Sequence, residues 1–78
     1  MPTPLQTAQK LLASNEPHEA LVIVNQLISK NPKNWSAHMR RGKIFEWLGR
    51  FEEAREEFAR AGELGAEPAA VKNAVERV

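Results

Sequence analysis

Chain-breaking residues recur along this chain at short, similar intervals, and the segments between them can only be brief helices. "SNEP" at 14–17, "KNPKN" at 30–34, Gly49 and "ELGAEP" at 63–68 are the stops. Between them apolar residues return at three- and four-residue spacing, and no period-two alternation is long enough for a strand. Thr3 suits an N-cap with Pro4 as the first helical residue, where its missing N–H would be unpaired anyway. Leu5, Ala8, Leu11 and Leu12 then share one helical face. Pro17 opens a second helix with Ala20, Leu21, Val24, Leu27 and Ile28 on its apolar side. Asn34 caps a third, running from Trp35 to Leu48, and Gly49 fits the left-handed residue that closes a helix. The fourth starts near Phe51 with Ala54, Phe58 and Ala61 inward. Its Glu52, Glu53, Arg55, Glu56, Glu57 and Arg60 are expected in solvent, with Glu56 and Arg60 as an i,i+4 pair. Pro68 opens a short fifth helix with Val71, Ala74, Val75 and Val78 on one side. The fold class expected is all-α.

Seventy-eight residues make one small domain, 1–78. Its net charge of +1 argues against a basic nucleic-acid arm and a disordered acidic tail. Cysteine is absent, which excludes disulfides and thiolate metal sites. No apolar run approaches the roughly 20 residues of a membrane span, and the amino terminus lacks a signal-peptide pattern. A cytoplasmic location is the expectation. The Met1 start favours a natural or deliberate beginning, and "VERV" leaves the carboxyl boundary open.

The chain also repeats itself. A shift of 34 residues, as the numbering shows, aligns Leu5 with Met39, Ala8 with Gly42, Leu11 with Phe45, Ala20 with Ala54 and Val24 with Phe58. Identities occur only at Glu19/Glu53 and Ala20/Ala54, so the repeat lies in size and spacing. Small residues at matching places would let the paired helices approach closely.

In this pattern the chain resembles the tetratricopeptide repeat (TPR) family, whose unit is a helix–turn–helix of about 34 residues. Gly42, Phe45, Leu48, Gly49, Phe51, Ala54, Phe58 and Ala61 stand where the family places small, aromatic, Leu-Gly, aromatic, Ala, aromatic and Ala residues. The first unit keeps Ala8, Leu11, Ala20, Val24, Leu27 and Pro32. The resemblance implies a right-handed α-solenoid of two antiparallel hairpins, 2–34 and 35–67, with 68–78 as a capping helix. His38 and Arg41 replace the family's early Trp and Leu in the second unit, as Pro4 and Thr7 do in the first. Trp35 falls three residues too early to substitute, and packing over the hairpin junction is expected of it.

Residues able to carry catalysis are thin. His18 and His38 lie on different predicted helices without cysteine or aspartate nearby, against the three or four ligands a zinc site needs. They are expected at the surface or at caps. Ser14, Ser29 and Ser36 have no evident histidine and acid partners. The glycines are scattered singly, which excludes a phosphate loop. The expectation is no catalysis, no metal and no cofactor.

Binding is the better direction. The resemblance implies a concave groove lined by the first helix of each unit: Leu5, Gln9, Leu12 and Ala13, then Met39, Arg40, Lys43, Glu46 and Trp47. Phe45 and Trp47, two residues apart, should face different sides. Trp47 either anchors a ligand or covers the start of the fifth helix. Leu5, Gln9 and Arg40 do not match the Lys and Asn residues with which some family members clamp chaperone tails. A protein or peptide partner of acidic-hydrophobic character suits the groove, because apolar area drives burial while cations select an acidic ligand. Val22 and Ile23 make the second helix apolar nearly all round, which points either to self-association as a homo-oligomer or to a surface that further repeats of a longer array would cover. RNA is the rival partner, through Arg40, Arg41 and Lys43, but the Glu-rich fourth helix offsets those charges.

Overall fold

The computed structural model describes residues 3, 4, 6, 7 and 16–78. Among them are four helices and no strand: α1 (Pro17–Lys30), α2 (Trp35–Trp47), α3 (Phe51–Leu64) and α4 (Pro68–Arg77). The sequence stops act as expected. Pro17 and Pro68 open α1 and α4. Asn34 caps α2, its Oδ1 accepting from the Ala37 N–H at 3.2 Å. At the amino-terminal end, the Thr3 hydroxyl accepts from Gln6 N at 3.2 Å while Gln6 Oε1 accepts from Thr3 N at 3.0 Å. This reciprocal pair is a capping box, satisfying two donors that a helix start leaves unpaired.

Two helices end in the same way. After α2, Gly49 takes φ 77° and the Arg50 N–H reaches back to the Phe45 carbonyl at 2.8 Å. After α3, Gly65 takes φ 119° and Ala66 N–H reaches Ala61 at 2.9 Å. Both are left-handed closures in which glycine avoids the Cβ clash. They reverse the chain within a few residues, so α2 and α3 run antiparallel and α4 runs back in the direction of α2.

Each helix packs on its sequence neighbours, and the apolar contacts divide between two seams. Ala20, Val24 and Ile28 of α1 meet Ala37 and Ile44 of α2, with Leu21, Ile23, Leu27 and Leu48 at the margins. Ala54 and Phe58 of α3 and Ala74 of α4 form the second cluster, joined by Met39, Phe45, Val71, Val75 and Val78. The helix α2 therefore serves both seams. Gly42 faces the Phe58 ring. A Cβ there would lie 2.5 Å from Phe58 Cε1, so only glycine lets that ring bury fully. Burying such a side chain stabilises by about 1.5–3 kcal/mol.

The rest of α3 departs from its expected solvated face in two respects. Arg60 pairs with Glu63 at 3.3 Å rather than with Glu56. Glu57 is not in solvent at all, being only 7% exposed.

Candidate functional site

Two charged groupings sit on α2, one turned into the molecule and one turned out. The inner one departs from the sequence expectation, which puts His38 at the surface or at a cap and Glu57 in solvent. His38 is 5% exposed. Its Nδ1 lies 3.0 Å from Glu57 Oε2 on α3, and its Nε2 lies 2.8 Å from the Pro32 carbonyl before α2. Arg41, one turn along α2, donates from Nε and Nη2 to the other carboxylate oxygen of Glu57. Its Nη1 reaches Asn25 Oδ1 on α1 at 3.0 Å. A single network thus ties α1, the turn before α2, α2 and α3.

The signal for this network was present in the spacing. Glu57 falls at i+3 from Ala54, on the same stripe as Phe58 and Ala61, so its helical phase is inward. Opposite it stand the two polar residues that replace apolar ones in the second repeat. Buried polar groups must be paired, and here each replacement answers the other. Arg41 is consequently engaged with Glu57 and Asn25 and is not available to a basic patch on α2.

The outer grouping is built from residues that the groove reading selected, with one addition. Lys43 and Trp47 are exposed, Glu46 is half-buried beside them, and Arg77 reaches across from α4. Arg77 grips Glu46 through both oxygens, Nε to Oε1 at 2.7 Å and Nη2 to Oε2 at 2.8 Å. These four residues line an open depression of about 500 Å³. The ring of Trp47 is 57% exposed, whereas Phe45 turns inward to the Phe58 cluster. Trp47 does not cover the start of α4. That start lies at the other end of the hairpin, because α4 runs parallel to α2, and Trp47 neighbours Arg77 at the far end. Trp35 lies over Gly65 at the opposite end, its Cδ1 3.8 Å from where a Gly65 Cβ would be.

The electrostatics of this face follow from crowding of like charges. The hydrogen bond from Arg77 holds the Glu46 carboxyl below its ordinary value, with the charges of Arg77 and Lys43 adding and partial burial opposing. The Lys43 ammonium is lowered, first by desolvation, then by Arg40 and Arg77, with Glu46 opposing. Two cations, Arg77 and Lys43, thus act on one carboxylate that is already occupied by the first.

Of the other predicted groove residues, Leu5, Gln9, Leu12 and Ala13 lie outside the described residues. Met39 is half-buried and packs on the Phe58 cluster, and Arg40 is half-buried on α2. For the self-association patch, Val22 is 56% exposed on α1, while Ile23 packs against the α1–α2 cluster. His18 is exposed and remote from His38 in the chain. No three His, Cys, Asp or Glu side chains gather to hold a metal among the described residues, and none of the described helices is long and apolar enough to cross a membrane.

A family model described as tetratricopeptide repeat matches residues 11–78. No curated protein matches the chain.

Proposed function

The chain belongs to the tetratricopeptide repeat family, which generally supplies protein–protein interaction modules, and we propose that it binds an acidic-hydrophobic peptide or partner helix across α2 and α4. The observation that carries this reading is the exposed Trp47 ring set beside Lys43, Glu46 and Arg77. A large ring in solvent offers apolar area that only a partner can cover, and Trp is enriched among residues that dominate binding energy. The excess of cations over carboxylates on this face favours an acidic ligand and repels a basic one. Met39, packed on the Phe58 cluster, supplies floor rather than anchor; Leu5, Gln9 and Leu12 stay candidates on the family resemblance alone. The module has no chemistry of its own in this reading.

The test is titration of acidic amphipathic peptides into the chain and into an Arg40→Ala/Trp47→Ala double variant. Loss of affinity by tenfold or more, on the order expected for a dominant aromatic contact, supports the groove. Unchanged binding sinks it.

A second reading, self-association, draws on the exposure of Val22. Light scattering over a concentration series, with Val22→Asp as the control, decides it. A monomer at all concentrations removes this reading and leaves the groove.

A further inference from the structure

Both ring nitrogens of His38 face oxygen atoms, and the chemistry of those oxygens determines how many protons the ring carries. Nε2 is 2.8 Å from the Pro32 carbonyl. A carbonyl oxygen has no proton to give, so Nε2 must be the donor there. Nδ1 is 3.0 Å from Glu57 Oε2. The proton between them belongs either to the ring or to the carboxyl group. Arg41 donates twice to the other oxygen of the same carboxylate, which favours the ionised form of Glu57. An ionised carboxylate only accepts, so Nδ1 must donate as well. A neutral imidazole has a single N–H; two donors require the imidazolium.

The surroundings agree in sign. The charged groups that face or border this cleft are Arg41 on α2 and Glu53, Glu56, Glu57 and Arg60 on α3. Glu53 is paired with Arg50 and Arg60 with Glu63. Counting both pairs, four carboxylates (Glu53, Glu56, Glu57, Glu63) stand against three guanidiniums (Arg41, Arg50, Arg60), a balance of −1 that a cationic ring brings to zero. From α1 the network receives only the uncharged Asn25, and α4 contributes no residue to the cleft.

We propose that His38 is held as an imidazolium and that its second proton closes a clasp between the two repeat hairpins. With both N–H groups in place, the ring ties the 31–34 turn, which follows α1, to α3 of the next hairpin. When one proton leaves, either the Pro32 carbonyl or the Glu57 carboxylate loses its donor, and the turn is no longer fastened to α3. The packing of Phe58 on Gly42 is untouched, so the hairpin of α2 and α3 persists while its tie to the first hairpin loosens. The seam between repeats thereby responds to pH through one buried side chain.

The experiment is nitrogen-15 NMR of the two histidine rings in the intact chain, with the exposed His18 as internal reference. Two protonated nitrogens on His38 at neutral pH are expected. Removing the second proton by raising the pH should weaken the folded state, because one of the two oxygen acceptors then loses its donor. Losing one charge-assisted hydrogen bond should lower the folded-to-unfolded ratio on the order of tenfold. His38→Gln should lack that step. A singly protonated, neutral ring at His38 in the folded chain overturns the proposal, and so does stability that does not change across the ring's titration. The NMR readout uses the unaltered protein, so the proposal stays testable if the variant fails to fold.

Discussion

Glu57 and Glu46 are each gripped by an arginine, yet one carboxylate is sealed between helices and the other stands at the edge of an open face. Glu57 is met by two side chains, Arg41 through Nε and Nη2 and His38 through Nδ1, and Arg41 in turn binds Asn25. Glu46 has one partner, Arg77, whose own side chain is half in water. The chemistry is the same and the setting differs. In the interior, a missing partner strands a charge that water cannot reach. At the rim, solvent replaces whatever is lost. A buried pair therefore acts as architecture, and an exposed one can be remodelled when a partner arrives.

The sharpest way to break the comparison is Glu57→Ala, which leaves Arg41 and His38 facing each other without their acceptor. A destabilisation of about 3–5 kcal/mol is expected by urea unfolding, and a loss under about 1 kcal/mol would mean that the seam is wetter than it looks. Replacing the whole network should do the opposite. With His38→Trp, Arg41→Leu and Glu57→Leu together, no charge is left uncompensated and only the Pro32 carbonyl and Asn25, both at exposed residues, turn to water for a donor; stability should be unchanged or raised by about 1–4 kcal/mol. If the triple variant is as weak as Glu57→Ala, the network contributes more than pairing its own members.

The outer pair should be far more forgiving. Glu46→Gln is expected to cost about 0–1 kcal/mol, and less in high salt. Its pH dependence has a definite sign. The folded-state value of Glu46 is depressed by Arg77. The pair's contribution is therefore present above the unfolded value, about 4.3 for Glu, and is lost as pH falls through the folded one. A wild-type minus Glu46→Gln difference that instead grew in acid would contradict the assignment. The smallest effect concerns Lys43, whose ammonium is lowered by desolvation and by Arg40 and Arg77. In mildly alkaline solution Lys43 should react with amine-selective reagents ahead of the exposed Lys30 and Lys72, as read by peptide mass spectrometry. Equal labelling would show that the crowding of cations has no effect on its proton.

Much of the fold is legible in single residues because their constraints are local. Pro17, Asn34, Gly49 and Pro68 act through backbone geometry within a few positions, and each does so here. The inward stripe of Ala54, Phe58 and Ala61 needs only the helical period. The candidate face was legible in part: Lys43, Glu46 and Trp47 do come together on α2. Arg77 was missed because its place depends on the direction in which α4 returns, and that direction is a property of two turns taken together. Glu57 was missed because it sits in a run of charged residues, where composition speaks for solvent while its phase speaks for the interior.

The sequence by itself determined that this chain is a helical repeat, with stops, caps and apolar stripes that each depend on neighbours a few residues away. Only the tertiary structure decided which charges are interior and which cations share a face. Those outcomes depend on residues 16 to 31 positions apart in the chain meeting across helices. The free energy of a charge is governed by the water and the partners around it, and these exist only once the helices have packed.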